Sequence, residues 1–237
     1  MIMKKNTMKT KKSIILLSSG LDSAVSLALL KDSHNIKLAL TFDYGQRAAK
    51  KELEASKKLC DYYQIEQKIL SINWLKDITK TSLLNEEENV PTPQVDELDN
   101  FDKSSKSAQN VWIPNRNGLF LNIAASFADA DEFTHIIFGA NKEEGTTFPD
   151  NTQEFMDRIN KTFEYSTLQQ PKVIAPLITF DKTEIVKKAL EINFPFELIQ
   201  SCYFSKEKHC GKCESCIRLK RALINNNAED ILGKIFE

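Results

Sequence analysis

The sequence predicts an α/β protein, a doubly wound and mostly parallel sheet followed by a carboxyl-terminal zinc-binding helical segment. Three observations carry that expectation. Apolar runs of strand length alternate with helical patterns from Ser13 onward, and such alternation builds a sheet covered on both faces through right-handed crossovers. A turn of small residues, Ser18-Ser19-Gly20, lies where the first strand gives way to the first helix. Four of the five cysteines, Cys202, Cys210, Cys213 and Cys216, fall within fifteen residues of a chain that shows no export signal, a clustering that points to a metal rather than to disulfides.

The elements follow in order. Ser13 to Ser18 reads as a buried strand, Asp22 to Lys31 as a helix and Ile36 to Phe42 as a second strand, together a β-α-β unit. The helix from Ala49 to Tyr63 sets Ala49, Leu53, Ser56, Cys60 and Tyr63 on one side at spacings of three and four, so Cys60 reads as a buried helical thiol. A third strand is expected from Gln67 to Ile72, a helix from Gly118 to Asp131, a strand from His135 to Gly139, a helix from Thr152 to Leu168 and a strand from Val173 to Leu177. Asp181 and Glu184 form a capping box, flanked by a Phe180 to Ile185 staple, which opens a helix ending near Glu191. One segment breaks the rhythm. Residues 86–110 are polar and acidic, with Pro91 and Pro93, and read either as a disordered excursion or as a lid over a site.

The 237 residues exceed one domain of roughly 150 by an appendage, placed here as a domain over residues 13–195 and a segment over 196–237. Hydrophobic residues at 41% and charged residues at 27% are globular values, which exclude disordered and fibrous classes. A net charge of -1 removes the usual electrostatic argument for a nucleic-acid binder. No apolar run approaches the roughly 20 residues of a membrane span. The basic start, MIMKKNTMKTKK, lacks a signal-peptide apolar core and reads as a tail, so a cytoplasmic location is expected.

The segment Leu16-Leu17-Ser18-Ser19-Gly20-Leu21-Asp22-Ser23 has the makings of an anion site: small residues admit an oxyanion to backbone N–H groups at a helix amino terminus. No lysine follows the glycine, so it is not the loop of kinases and GTPases. Asp22 suits a magnesium ion that in turn binds phosphates. A plain helix-capping turn is the alternative. Ser18 to Ser23 resembles the S-G-G-x-D-S loop of the PP-loop ATP pyrophosphatases, the Rossmann-like adenine-nucleotide α-hydrolase superfamily, with Ser19 where glycine is usual.

The cysteines, spaced x7, x2 and x2, can close a tetrahedral site, with Gly211 easing the turn between them. Zinc is expected in a structural role, an iron-sulfur cluster being the other four-cysteine option; His209 is expected to stand by. Among PP-loop enzymes, Ser201-Cys202-Tyr203 with Cys210-Gly211-Lys212-Cys213-Glu214-Ser215-Cys216-Ile217-Arg218 is similar to the 7-cyano-7-deazaguanine synthases, the QueC family. Phe42-Asp43-Tyr44-Gly45-Gln46-Arg47, Ile113-Pro114-Asn115-Arg116-Asn117, Phe148-Pro149-Asp150 and Pro176-Leu177 with Lys182 extend the resemblance. Ala48, Phe148 and Asn151-Thr152 depart from the residues usual there.

The resemblance implies synthesis of 7-cyano-7-deazaguanine (preQ0) from 7-carboxy-7-deazaguanine, ammonia and ATP with magnesium, in the route to queuosine. It implies nucleotide binding by Leu17, Ser18, Ser19, Gly20, Leu21, Asp22, Ser23, Ala24, Val25, Ser26 and Leu27. Asp22, Ser23, Arg116 and Lys182 become catalytic candidates, and Tyr44, Gln46, Arg116, Phe148 and Asp150 substrate contacts. Asp150 also fits a helix-capping pattern with Gln153. The partners expected are small molecules, without stable nucleic-acid or membrane binding, and a homodimer is left open. A tRNA-thiolating or amidating relative, and a zinc-stabilised nucleic-acid-binding module with an inactive nucleotide site, are the competing readings.

Overall fold

A computed structural model describes residues 11–85 and 87–237; the basic tail over residues 1–10 and Glu86, the first residue of the polar segment, lie outside the described residues. Strands β1 (Ser13–Leu16), β2 (Ile36–Asp43), β3 (Glu66–Ser71), β4 (His135–Ile137) and β5 (Lys172–Ile174) form one parallel sheet in the order β3-β2-β1-β4-β5. The chain leaves β1 toward one edge, then returns after β3 to build the other side. That reversal between β1 and β4 is a topological switch point, where the carboxyl ends of adjacent strands leave a crevice.

Period-two alternation supplies both faces of the sheet. Ile15, Ala39 and Ile137 join the buried cluster that contains α1 (Leu21–Leu30), Leu59 and Cys60 of α2 (Ala49–Tyr63), α8 (Lys182–Glu191), α9 (Glu214–Asn225) and α10 (Glu229–Ile235). Ile14, Leu16, Leu38, Leu40 and Ile136 join the other cluster, with α5 (Arg116–Ala130) and α7 (Gln153–Ser166). The short helices α3 (Leu75–Ile78) and α6 (Lys142–Gly145) sit in the connections after β3 and β4. The four clustered cysteines belong to the first of these cores.

Helix α2 has the expected bounds, and α8 opens on the reciprocal Asp181 and Glu184 capping box, with Phe180 packed against the cluster that holds Ile185. Three expectations need correction. Of the two readings of the polar segment, residues 87–110 exclude the structureless excursion: Val95–Glu97 is a 3-10 turn and Phe101–Val111 is helix α4. Val90 and Leu98 are buried, and the Glu214 N–H donates to the Pro91 carbonyl at 3.1 Å. Arg116 begins α5 instead of preceding it, and the cap of α7 is Thr152, whose hydroxyl accepts from the Phe155 N–H at 3.2 Å, not Asp150.

Candidate active site

A cavity of about 260 Å³ opens at the switch point, bordered by Leu17, Ser18 and Gly20 through Ser23. Gly139, just past β4, makes the close approach there: a Cβ on it would lie 2.7 Å from the Ser23 nitrogen, so only glycine lets this strand end pass under the start of α1. Ser23 Oγ donates to the Gly20 carbonyl at 3.1 Å and lies 3.2 Å from Ser18 Oγ. The helix begins at Gly20 with no side-chain cap, so neither Asp22 nor Ser23 fills the capping role. The expected nucleotide contacts divide here. Ala24, Val25 and Leu27 are wholly buried in the core and Ser26 is buried with them; none borders the cavity.

Ser19 also turns away from the cavity. Its backbone is left-handed, φ 61°, which explains the usual glycine, and its Oγ donates to the Ser18 carbonyl at 2.5 Å and the Glu52 carbonyl at 3.2 Å. The β-carbon therefore does not narrow the cradle. Ser19→Gly relieves about 1 kcal/mol of left-handed strain and loses hydrogen bonds worth about as much. Its melting temperature and turnover are expected to stay close to those of the parent, and complete loss of activity would contradict this geometry.

Asp22 is buried, and its Oδ2 accepts from Lys182 Nζ at 2.5 Å and from Asn141 Nδ2 at 3.1 Å. Lys182 Nζ also donates to Glu144 Oε1 at 3.0 Å. Burial opposes charge on Lys182, but the two carboxylates prevail and raise its pKa. Burial pushes the Asp22 carboxyl up against the pull of that ammonium. One ammonium against two carboxylates leaves excess negative charge, and Asp22 Oδ1 has no hydrogen-bond partner. A hard divalent cation, which seeks carboxylate oxygen, fits that donor set.

Across the cavity stand Tyr44, Gln46, Arg116, Phe148 and Asp150. Arg116 Nη1 donates to Tyr44 Oη at 3.4 Å, and its Nε to Asn117 Oδ1 at 3.4 Å. Burial disfavours the guanidinium charge, yet Tyr44 and Asp150 outweigh it and its pKa is raised. Gln46 staples its own turn. Its Oε1 accepts from the Tyr44 N–H at 3.0 Å, and its Nε2 donates to the Phe42 carbonyl at 3.1 Å and to Glu52 Oε2 at 2.8 Å. Both amide hydrogens are thereby occupied within the protein. Phe148 stacks on Trp112, centroids 5.9 Å apart and planes within 11°, and both rings border the cavity. Asn141, Glu144, Glu52 and Trp112 were not anticipated; Trp112 sits at the end of a segment whose polar composition hid its packing.

The four cysteine sulfurs lie within 4.8 Å of one another, and Cys210 Sγ is 3.8 Å from Cys216 Sγ. Metal–sulfur bonds of about 2.3 Å at tetrahedral angles put sulfurs about 3.8 Å apart, so these residues fit a four-thiolate metal. Backbone N–H groups of Phe204 and Cys210 donate to Cys202 Sγ, and those of Lys212 and Cys213 to Cys210 Sγ, each at 3.4 Å. Gly211 takes the left-handed φ of 68° that this turn needs. His209 stands by: its Nε2 accepts from the Ser201 N–H at 3.0 Å. Ser201 Oγ in turn accepts from the Leu21 N–H at 3.1 Å, and the Gln200 N–H donates to the Ser19 carbonyl at 2.9 Å. The cysteine segment thus braces the Ser/Gly loop directly. Cys60 is not one of the grouped sulfurs; it is buried, and burial pushes its thiol up to about 11, away from nucleophilic chemistry.

A parallel sheet with this strand order, a Ser/Gly loop at its switch point and a cavity bearing Asp22 and Lys182 define an α/β protein with a polar cleft at the carboxyl ends of its strands. Residues 12–227 match the family described as "Queuosine biosynthesis protein QueC", and the chain belongs to that family. It is 49% identical over 224 residues to a 7-cyano-7-deazaguanine synthase of Methanosarcina mazei, covering 93% of this chain and 97% of that one. It is 45% identical over 224 residues to that of Methanosarcina barkeri, with the same coverages. To that of Bdellovibrio bacteriovorus it is 48% identical over 222 residues, covering 93% and 96%. None of the described helices is long and apolar enough to cross a membrane.

Proposed function

We propose that this chain converts 7-carboxy-7-deazaguanine, ammonia and ATP into 7-cyano-7-deazaguanine, through an adenylated acid, an amide and an adenylated amide. The chemical need is plain: a carboxylate is a poor electrophile and hydroxide a poor leaving group, and AMP is a good one. The observation that carries the reading is the near full-length likeness to named synthases in a chain whose Ser/Gly loop, Asp22, Lys182 and Arg116 border one cavity.

In this reading the first-turn N–H groups of α1 beyond that of Leu21, which Ser201 holds, receive the departing pyrophosphate, where preorganised donors stabilise growing negative charge. Lys182 holds the Asp22 carboxylate in place. Magnesium, held by Asp22, supplies charge neutralisation when bound. Arg116 offers a planar fork to the substrate carboxylate or a phosphate. Asp150 accepts from the guanine-like N–H edge, beside the Trp112 and Phe148 rings. Cys202, Cys210, Cys213 and Cys216 would hold zinc, which would tie the brace together in a structural role, since four thiolates leave no open position for substrate.

Arg116→Lys keeps the charge and loses the fork, so turnover is expected to fall about tenfold or more while the melting temperature changes little. Unchanged kinetics and ATP affinity would remove Arg116 from the site. The function itself is tested by which acceptor drives release of AMP and pyrophosphate. Dependence on the deazaguanine acid supports the synthase; dependence on tRNA would replace it with a tRNA-modifying activity.

A further inference from the structure

Glu52, in the first turn of α2, has no place in the scheme above, yet it borders the same cavity as Ser18, Asp22 and Arg116. Its position is set from two directions. The Glu52 carbonyl takes the Ser19 hydroxyl, tying this turn to the Ser/Gly loop, and Oε2 takes a hydrogen from Gln46, whose amide is itself locked by Phe42 and Tyr44. No described residue donates a hydrogen bond to the other carboxylate oxygen, Oε1. The neighbouring carboxylates already have other tasks: Asp22 and Glu144 hold Lys182, Glu143 and Glu214 hold Arg218, and Asp150, which accepts from Asn151, is assigned above to the N–H edge of the substrate.

We propose that Glu52 is the proton acceptor for the substrate nitrogen during amide and nitrile formation, an assignment that rests on the adenylation reading above. In the first half, ammonia nitrogen bonds to the acyl carbon, the carbon–oxygen bond to AMP breaks, AMP leaves with the electron pair, and the nitrogen sheds one proton. In the second, the amide oxygen bonds to the α-phosphorus of another ATP and pyrophosphate leaves with the pair, while the nitrogen sheds a proton to give a carbon–nitrogen double bond. Loss of the last nitrogen proton then forms the nitrile and expels AMP. Three protons leave one nitrogen, each passing through Glu52 to water.

The surroundings tune the group for this task. Burial pushes the Glu52 carboxyl up to about 7, against the Gln46 hydrogen bond and the Arg116 charge; Asp43 adds to the rise and Tyr44 faces it uncharged. An acceptor titrating near the working pH is the most effective proton carrier. Because the accepting form is the carboxylate, the rate rises with pH through this value.

The test starts from the amide, 7-carbamoyl-7-deazaguanine, and ATP, which removes ammonium titration from the profile. Wild-type nitrile formation is expected to climb to a plateau above about pH 7, with Glu52→Gln slower by about a hundredfold and without that limb. Glu52→Asp is expected to keep a pH-dependent limb at reduced rate. Acid-dependent exchange of pyrophosphate into ATP transfers no proton, so it is expected to stay within about threefold of wild type in both variants. Wild-type nitrile rates in Glu52→Gln, equal losses of exchange and nitrile formation, or Glu52→Asp behaving like Glu52→Gln would overturn the assignment. A wild-type profile without the limb would overturn it even if Glu52→Gln failed to fold. Wild-type protein lacking acid-dependent exchange would overturn the adenylation reading and this assignment with it, a distinguishable failure.

Discussion

Asp22→Asn is expected to reduce AMP and pyrophosphate release by on the order of a thousandfold, the scale of losing a preorganised charge partner at the reacting phosphates. The argument rests on Oδ1, which is buried and unpartnered, and on the excess negative charge that Asp22 and Glu144 leave around Lys182. Asparagine preserves volume and can still accept from Lys182. Alanine would remove that acceptor as well as the charge and leave a hole beside a buried ammonium, confusing stability with chemistry. The variant is therefore expected to melt within a few degrees of wild type and to lose most of its magnesium response. Near-normal turnover at ordinary magnesium would remove Asp22 from the metal and phosphate chemistry.

Cys213→Ser is expected to have the largest effect on stability. A structural zinc in a small motif contributes on the order of 10 kcal/mol to local folding, and Cys213 is fully buried beside Cys202, Cys210 and Cys216. Purified wild-type protein should hold one zinc per chain, and the variant should lose both the metal and the order of its carboxyl-terminal segment. Turnover should fall through the brace, because Gln200 and Ser201 hold the backbone of Ser19 and Leu21. Metal analysis, melting temperature and AMP release, with Cys60→Ser as a control retaining full zinc, check this. Iron in place of zinc, or a Cys213→Ser protein with full zinc and wild-type melting, would contradict it.

Much of this architecture is legible from local pattern. Spacings of three and four mark α2 to its end residues, and the Asp181 and Glu184 pair marks the start of α8, because both signals are contained within a few residues. The cysteine cluster is equally local. Helix α4 was not legible: FDKSSKSAQNV offers few apolar residues, and its order comes from distant partners. Ser107 donates to Glu214, Arg221 reaches Asp99 at 2.8 Å, and Val111 is buried. The start of α7 is ambiguous locally because Asp150 and Thr152 both suit a cap; Thr152 takes that role and Asp150 borders the cavity.

The site divides the same way. A loop of small residues before a helix announces an anion site, but which side chains face it depends on the fold. Ser19 turns away from the cavity into the protein through its left-handed backbone, and Ala24, Val25 and Leu27 are core residues of α1. Lys182 meets Asp22 across 160 positions of sequence, through the switch point that brings the start of α8 to the start of α1. Glu52 carried no local signal, since a glutamate in a first helical turn is ordinarily solvated. Its significance comes from Gln46, Ser19 and the cavity wall together.

The most direct test of the central claim is mass spectrometry of the product formed from 7-carboxy-7-deazaguanine, ATP and 15N-labelled ammonium by the purified chain. The account predicts the nitrile 7-cyano-7-deazaguanine carrying one 15N, with two AMP and two pyrophosphate released per molecule and the labelled amide as a transient. Unchanged acid, an amide that goes no further, or ADP and phosphate in place of AMP and pyrophosphate would contradict it.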